Sequence, residues 1–145
     1  MQHPDGYNCT GLIGTRRYMA PEVVRRAPYG PPADVFSFTI LMWQIFAVKT
    51  PFRYMDSEMH TDLVVIKGKR PRRLAFLPPS LQELLETGWS KHARERPDFK
   101  EICAVLKVEI LRATGGQASD VVSHRTFHLI ERSMKSLYGT KRFCL

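Results

Sequence analysis

Residues 33–48, ADVFSFTILMWQIFAV, place apolar side chains in nearly every direction around a helix. A helix of that kind belongs in the interior of a domain. The apolar run 38–48 is about half a membrane span and contains Gln44, so it predicts a core helix and not a transmembrane segment. Asp34 stands where a carboxylate caps or flanks a helix start, and Lys49-Thr50-Pro51 ends the run.

The flanking segments are patterned differently. Residues 1–19 have no sustained period and are rich in Gly, Asn and Thr, so they read as extended or looped. Pro21 suits the first turn of a short helix over residues 21–26, with Glu22 favoured at the positive end. Tyr29-Gly30-Pro31-Pro32 reads as a turn. Residues 56–67 predict a shorter helix, ending at Gly68 and a basic loop over 69–73. Pro78-Pro79-Ser80 opens a helix carrying Leu81, Leu84 and Leu85, closed by Gly88-Trp89. After Arg96-Pro97 a helix is expected to about Ala113, with Phe99, Ile102, Cys103, Leu106 and Ile110 in a one-sided stripe. Gly115-Gly116 marks a boundary. Beyond it Phe127, Ile130, Met134 and Leu137 recur at helical spacing, predicting an amphipathic tail helix. No segment shows a convincing strand pattern, so the chain reads as mostly α.

Composition adds little to this picture. The 145 residues carry 22 Lys and Arg against 14 Asp and Glu, a formal charge of +8. That excess suits acidic partners or a solvated surface, and selects neither. Cys9, Cys103 and Cys144 lie far apart and form no metal-ligand spacing with the five histidines, so reduced thiols and a cytoplasmic location are expected, with no metal. The polar N-terminus carries no hydrophobic signal core.

The motifs change the picture. Ala20-Pro21-Glu22 sits within YMAPEV. DVFSFTILMWQI comes next, then Thr50-Pro51-Phe52, then Gly88-Trp89 with Arg96-Pro97-x-Phe99-x-x-Ile102. In this order and spacing they resemble the C-terminal lobe of a eukaryotic-type protein kinase domain, from the end of the activation segment onward. The resemblance covers about residues 10–112. GTRRYMAPE resembles the serine/threonine kinases, and the central helix with the GW…RPDF ending resembles their tyrosine-kinase-like group. The implied architecture is a partial kinase fold, the helical C-lobe without N-lobe or catalytic loop, followed by the tail helix. Its divisions are residues 1–19, the end of the activation segment and substrate loop; 20–113, the partial lobe; and 114–145, the tail.

The resemblance also implies roles. Glu22 and Arg96 correspond to a buried ion pair that pins the activation segment to the helical base. Asp34 corresponds to the core-helix aspartate that anchors the catalytic loop. Thr15, Tyr18 and Met19 belong to the loop that receives the substrate residue after the phosphoacceptor. Thr10 and Tyr7 lie where activation-segment phosphorylation occurs, and Thr10 is taken as the candidate phosphosite. The sequence departs from the family at Thr39, where Gly is usual, and at Gln44, where Glu is frequent. A threonine hydroxyl at position 39 would bond back to a carbonyl one turn earlier.

Phosphoryl transfer requires a Gly-rich loop, a strand lysine, HRDxxxxN and DFG. None precedes Ala20. Val64-Val65-Ile66-Lys67, Asp98-Phe99-Lys100 and His124-Arg125-Thr126 imitate three of these motifs but come after the APE motif, in the wrong order. The expectation is therefore a fragment of a serine/threonine protein kinase, with no catalytic, ATP-binding or metal-binding residue of its own; ATP and magnesium belong to a full-length parent. The alternative is a non-catalytic module that binds a protein partner through the lobe face, the basic loop or the tail. No nucleic acid is expected. The tail helix is open to three uses: packing back on the lobe, binding a partner, or meeting an anionic membrane through Arg125, Arg132 and Lys135.

Overall fold

The computed structural model describes residues 15–115; the expected tail helix and Thr10 lie outside them. Every regular element among the described residues is helical. None of these helices is long and apolar enough to cross a membrane.

A single 3-10 turn, Arg16–Tyr18, leads into α1 (Pro21–Val24), with Pro21 at its first position and Glu22 in its first turn. The helix is shorter than expected. Arg26 takes a left-handed φ of 56°, which turns the chain out of the helix.

The central helix α2 spans Pro31–Ala47. Its start corrects two expectations. Pro31 and Pro32 belong to the first helical turn and not to the turn before it, because proline has no N–H to lose there and its φ is already helical. The N-cap is Gly30, which corrects the capping alternative for Asp34; Asp34 lies in the first turn and flanks the start, the other alternative. The covering of α2 is also less complete than its composition suggested. Ala33, Val35, Phe36, Thr39, Ile40, Met42 and Trp43 are buried, whereas Ile45 is 65% exposed. Composition fixes which residues tolerate burial; the neighbouring elements decide which are covered. Val48 ends α2 with a left-handed φ of 49°.

The segment 56–67 divides into α3 (Ser57–His60) and a π-helical stretch, Thr61–Ile66. Asp56 caps α3 by accepting from the Met59 amide at 2.8 Å. The wider turn shows in Lys67 N–H donating to Asp62 O, five residues back. Two carbonyls near its end are taken by arginines: Val64 O by Arg70 and Val65 O by Arg25. Arg70, a member of the expected basic loop, thus turns inward. It also donates to Trp89 O at 2.7 Å and lies 5.0 Å from the Phe36 ring centre. Burial first, then the charge of Arg96, lowers its pKa to about 10, against the opposing pull of Glu22.

Helix α4 (Pro79–Gly88) buries Leu81, Leu84, Leu85 and Gly88 on one face. Gly88 is where α4 meets α2. A Cβ there would stand 2.3 Å from Thr39 Oγ1, so the glycine is required by close approach. Thr39 itself donates to Val35 O at 2.8 Å, the back-bond expected of it.

Helix α5 (Phe99–Ala113) opens with a reciprocal cap: the Glu101 amide donates to Asp98 Oδ1 and the Asp98 amide to Glu101 Oε2, both at 2.8 Å. Of the expected stripe, Ile102 is buried, Cys103 is exposed, and Phe99 meets Phe38 edge to face at 5.6 Å while staying partly exposed. The chain divides into two compact units, Met1–Val105 and Leu106–Leu145. The described part of the second is the end of α5, where Arg112 donates to Glu109 at 2.6 Å.

Candidate functional site

The candidate site is the loop 15–19 with the anchors that hold it. Its shape begins with local bonds. Tyr18 N–H donates to Thr15 O at 3.0 Å and Met19 N–H to Arg16 O at 3.1 Å, closing the 3-10 turn. Thr15 is exposed at the start of the turn; Met19 and Ala20 are buried at its end. One side of the loop is therefore open and the other is fixed.

Tyr18 is held from two directions by α2. Ser37 Oγ donates to the Tyr18 carbonyl at 2.8 Å, and the Tyr18 hydroxyl donates to Gln44 Oε1 at 2.6 Å. Positions 37 and 44 are two helical turns apart, so they lie on the same face of α2. Gln44 accepts this bond as a neutral amide, where a carboxylate is frequent in the resembled family. A further tie reaches α3 and the stretch behind it: Arg16 Nη2 donates to Thr61 Oγ1 at 2.7 Å.

Beneath the loop, Glu22 and Arg96 meet although 74 residues separate them. Arg96 Nη1 donates to Glu22 Oε1 at 2.6 Å and Nη2 to Glu22 Oε2 at 3.0 Å. The two parallel bonds match the planar guanidinium to the carboxylate. Arg96 also donates to Pro32 O at 2.8 Å and to Ser90 O at 3.0 Å, and stands 5.1 Å from the Phe36 ring centre. Its side chain is fully buried, and that of Glu22 is 17% exposed. One residue thus joins the α1 segment, the start of α2 and the loop before α5.

Asp34 stands apart from this set. Its side chain keeps much of its exposure to solvent, makes no capping bond, and lies in the first turn of α2. Desolvation raises its carboxyl above the ordinary range.

His60 carries no signal in the sequence beyond its failure to fit a zinc spacing. It is 3% exposed, and neither ring nitrogen has a hydrogen-bond partner. Its ring meets Phe52 edge to face at 5.4 Å. Burial lowers its pKa first, and the charges of Arg16, Arg70 and Arg17 lower it further. Ser37 and Thr61 are likewise silent in the sequence. Short polar residues in helices give no signal for a partner 19 or 45 residues away.

Among the described residues no three His, Cys, Asp or Glu side chains gather as a metal site. The three imitations of kinase motifs also separate. Residues 64–66 lie in the π-helical stretch, Asp98 is the cap of α5, and residues 124–126 lie outside the described residues.

Comparison with known proteins agrees with this geometry. The family model described as protein tyrosine and serine/threonine kinase matches residues 4–106. The chain is 40% identical over 111 residues to the serine/threonine-protein kinase STY46 of Arabidopsis thaliana, covering 77% of this chain and 19% of that protein. It is 38% identical over 97 residues to the serine/threonine/tyrosine-protein kinase HT1 of the same plant, covering 67% and 25%. It is 38% identical over 101 residues to the dual specificity protein kinase shkC of Dictyostelium discoideum, covering 69% and 20%. The matched region is thus about a fifth to a quarter of the length of these relatives. With a family match across most of its length and a helical structure that joins the matched motifs, the chain belongs to the protein tyrosine and serine/threonine kinase family.

Proposed function

We propose that this chain is the substrate-facing helical portion of a serine/threonine protein kinase, and that by itself it transfers no phosphate. The observation that carries this reading is the bidentate Arg96–Glu22 pair, which ties the segment bearing the loop 15–19 to the helical base. A loop tethered below and open above is suited to receive an extended peptide. Thr15 offers an exposed hydroxyl at its entrance, and Tyr18 and Met19 form its fixed side. Asp34, with an uncompensated carboxyl at the start of α2, is the anchor for a catalytic loop supplied by a parent protein.

The 145 residues contain no Gly-rich phosphate loop, no HRD and no DFG. ATP and magnesium therefore find no matching residues here, and no chemical step is assigned to this chain. The proposed location is the cytoplasm, where the three cysteines would stay reduced. The test is an incubation of the purified chain with radiolabelled ATP, magnesium and a mixed protein substrate. No incorporation above the protein-free control is expected. Incorporation that co-purifies with the chain through two chromatographic steps overturns the reading.

A further inference from the structure

The arginines of this chain differ in what they touch. Arg96 donates to a carboxylate and two carbonyls. Arg70 donates to the carbonyls of Trp89, Val64 and Lys69, and Arg25 to that of Val65. Each buried or inward-turned guanidinium of the base is matched by oxygen.

Arg16 and Arg17 are not matched in this way. Both are half-buried on the turn of the loop 15–19. Among the described residues Arg16 makes one hydrogen bond, to the neutral Thr61 hydroxyl, and that hydroxyl is already engaged in donating to Ser57 O. Arg16 Nε is buried and has no acceptor. Arg17 has neither a hydrogen bond nor an ion pair among the described residues. Beside them the His60 ring is buried with both nitrogens unbonded, and the charges acting on it among the described residues are those of Arg16, Arg70 and Arg17, with no described carboxylate opposing them. Glu22, the acidic residue nearest in the chain, is engaged by Arg96.

Half-buried cations without a counter-ion are costly, and a protein retains them where an anion arrives from outside. We propose that Arg16 and Arg17 form an anion-accepting subsite of the substrate loop, selecting protein substrates with a carboxylate or phosphate side chain just C-terminal to the accepting hydroxyl. This rests on the reading of residues 15–19 as the substrate loop. The planar guanidinium offers paired donors that suit either oxyanion. The guanidinium of Arg17, with no hydrogen bond or ion pair among the described residues, is the donor available to the ligand, and the Arg16 charge lies beside it in the same turn.

The test uses the full chain and fluorescein-labelled serine peptides that differ only in the residues after the serine: alanine, glutamate or phosphoserine. Binding is read by fluorescence anisotropy, with inorganic phosphate as competitor. The glutamate and phosphoserine peptides are expected to bind at least about tenfold more tightly than the alanine peptide, as one charged hydrogen bond supplies. Arg17→Gln, which breaks no hydrogen bond or ion pair among the described residues, should remove most of that difference, and the double variant R16Q/R17Q should erase it. The exposed pair K69Q/R72Q serves as the charge-matched control and should preserve it. Competition by inorganic phosphate against the phosphoserine peptide, but not the alanine peptide, supports the same subsite. Equal binding of all three peptides overturns the preference and leaves the substrate loop standing. No binding of any peptide to a chain that is helical by circular dichroism overturns both. An equal loss in R16Q/R17Q and K69Q/R72Q overturns the assignment in favour of general attraction by the basic chain.

Discussion

The base of the lobe and the loop above it both rely on arginine, and they use it in opposite ways. At the base, Arg96 is fully buried and its guanidinium reaches the Glu22 carboxylate and the carbonyls of Pro32 and Ser90. In the loop, Arg16 and Arg17 are half-buried, and among the described residues they have one hydrogen bond between them, to a neutral hydroxyl. Burial that is matched by acceptors serves the fold. Burial left unmatched costs stability, and the proposed anion would supply the missing match. The difference shows why a formal charge of +8 says little about partners: some of those cations are already engaged by internal oxygens.

The largest expected effect breaks the matched side. Arg96→Ala leaves the Glu22 carboxylate mostly buried without a partner and frees the carbonyls of Pro32 and Ser90. Its cost should be about 3–5 kcal/mol, read as a lowered urea midpoint, and a chain of ordinary stability would sit near the edge of folding. Glu22→Gln keeps part of the hydrogen bonding and should cost less. Arg17→Gln in the same titration should cost far less than Arg96→Ala, because it breaks no hydrogen bond or ion pair among the described residues. Equal losses for Arg96→Ala and Arg17→Gln would erase the contrast between base and loop.

A second variant asks how far packing, apart from charge, holds the base. Gly88→Ala places a methyl 2.3 Å from Thr39 Oγ1, whose hydroxyl is held by Val35 O. The expected loss is about 1–3 kcal/mol. Adding Thr39→Gly removes the obstructing atoms, so the double variant should recover part of the loss in a thermal melt, less the cost of a helical glycine. Additive losses would show that the clash is relieved elsewhere.

The smallest effect reads the field of the loop. His60 has a folded pKa below its ordinary 6.5, so the folded chain binds fewer protons than the unfolded chain in that window. Stability should therefore be constant above pH 6.5, fall as the pH drops from there to the folded pKa, and level off below it. His60→Leu should flatten that slope in urea titrations across pH. Arg17→Gln should make it shallower, because one of the charges that lowers the pKa is gone. A slope unchanged by Arg17→Gln would remove Arg17 from the causes of the shift and leave burial with the charges of Arg16 and Arg70. Asp34 does not imitate the effect: its pKa is raised from 3.8, and its contribution is present at acid pH and lost as the pH rises through the folded value.

Much of the architecture is legible in order along the chain. Pro21, Pro79 and the apolar spacings of residues 81–85 mark helices because prolines and periodicity act locally, within one or two turns. The start of α2 is ambiguous in the sequence because Pro31-Pro32 serves equally as a turn or as a first helical turn, and the packing of the helix after it makes the choice. The π-helical stretch has no signal of its own; the arginines that take its carbonyls come from positions 25 and 70.

The sequence by itself determined the helical class, the family resemblance and the two halves of a guanidinium–carboxylate motif, because those depend on residue type and spacing. Only the tertiary structure decided which cations are matched. Lys69, Arg70 and Arg72 read alike as members of one basic run, yet Arg70 turns inward beneath Phe36 and the other two stay exposed. Arg16 and Arg17 read alike as neighbours, yet one reaches Thr61 and the other has no hydrogen bond or ion pair among the described residues. A charge is neutralised by whatever oxygen folding brings within about 3 Å, and that oxygen belongs to residues far away in the chain.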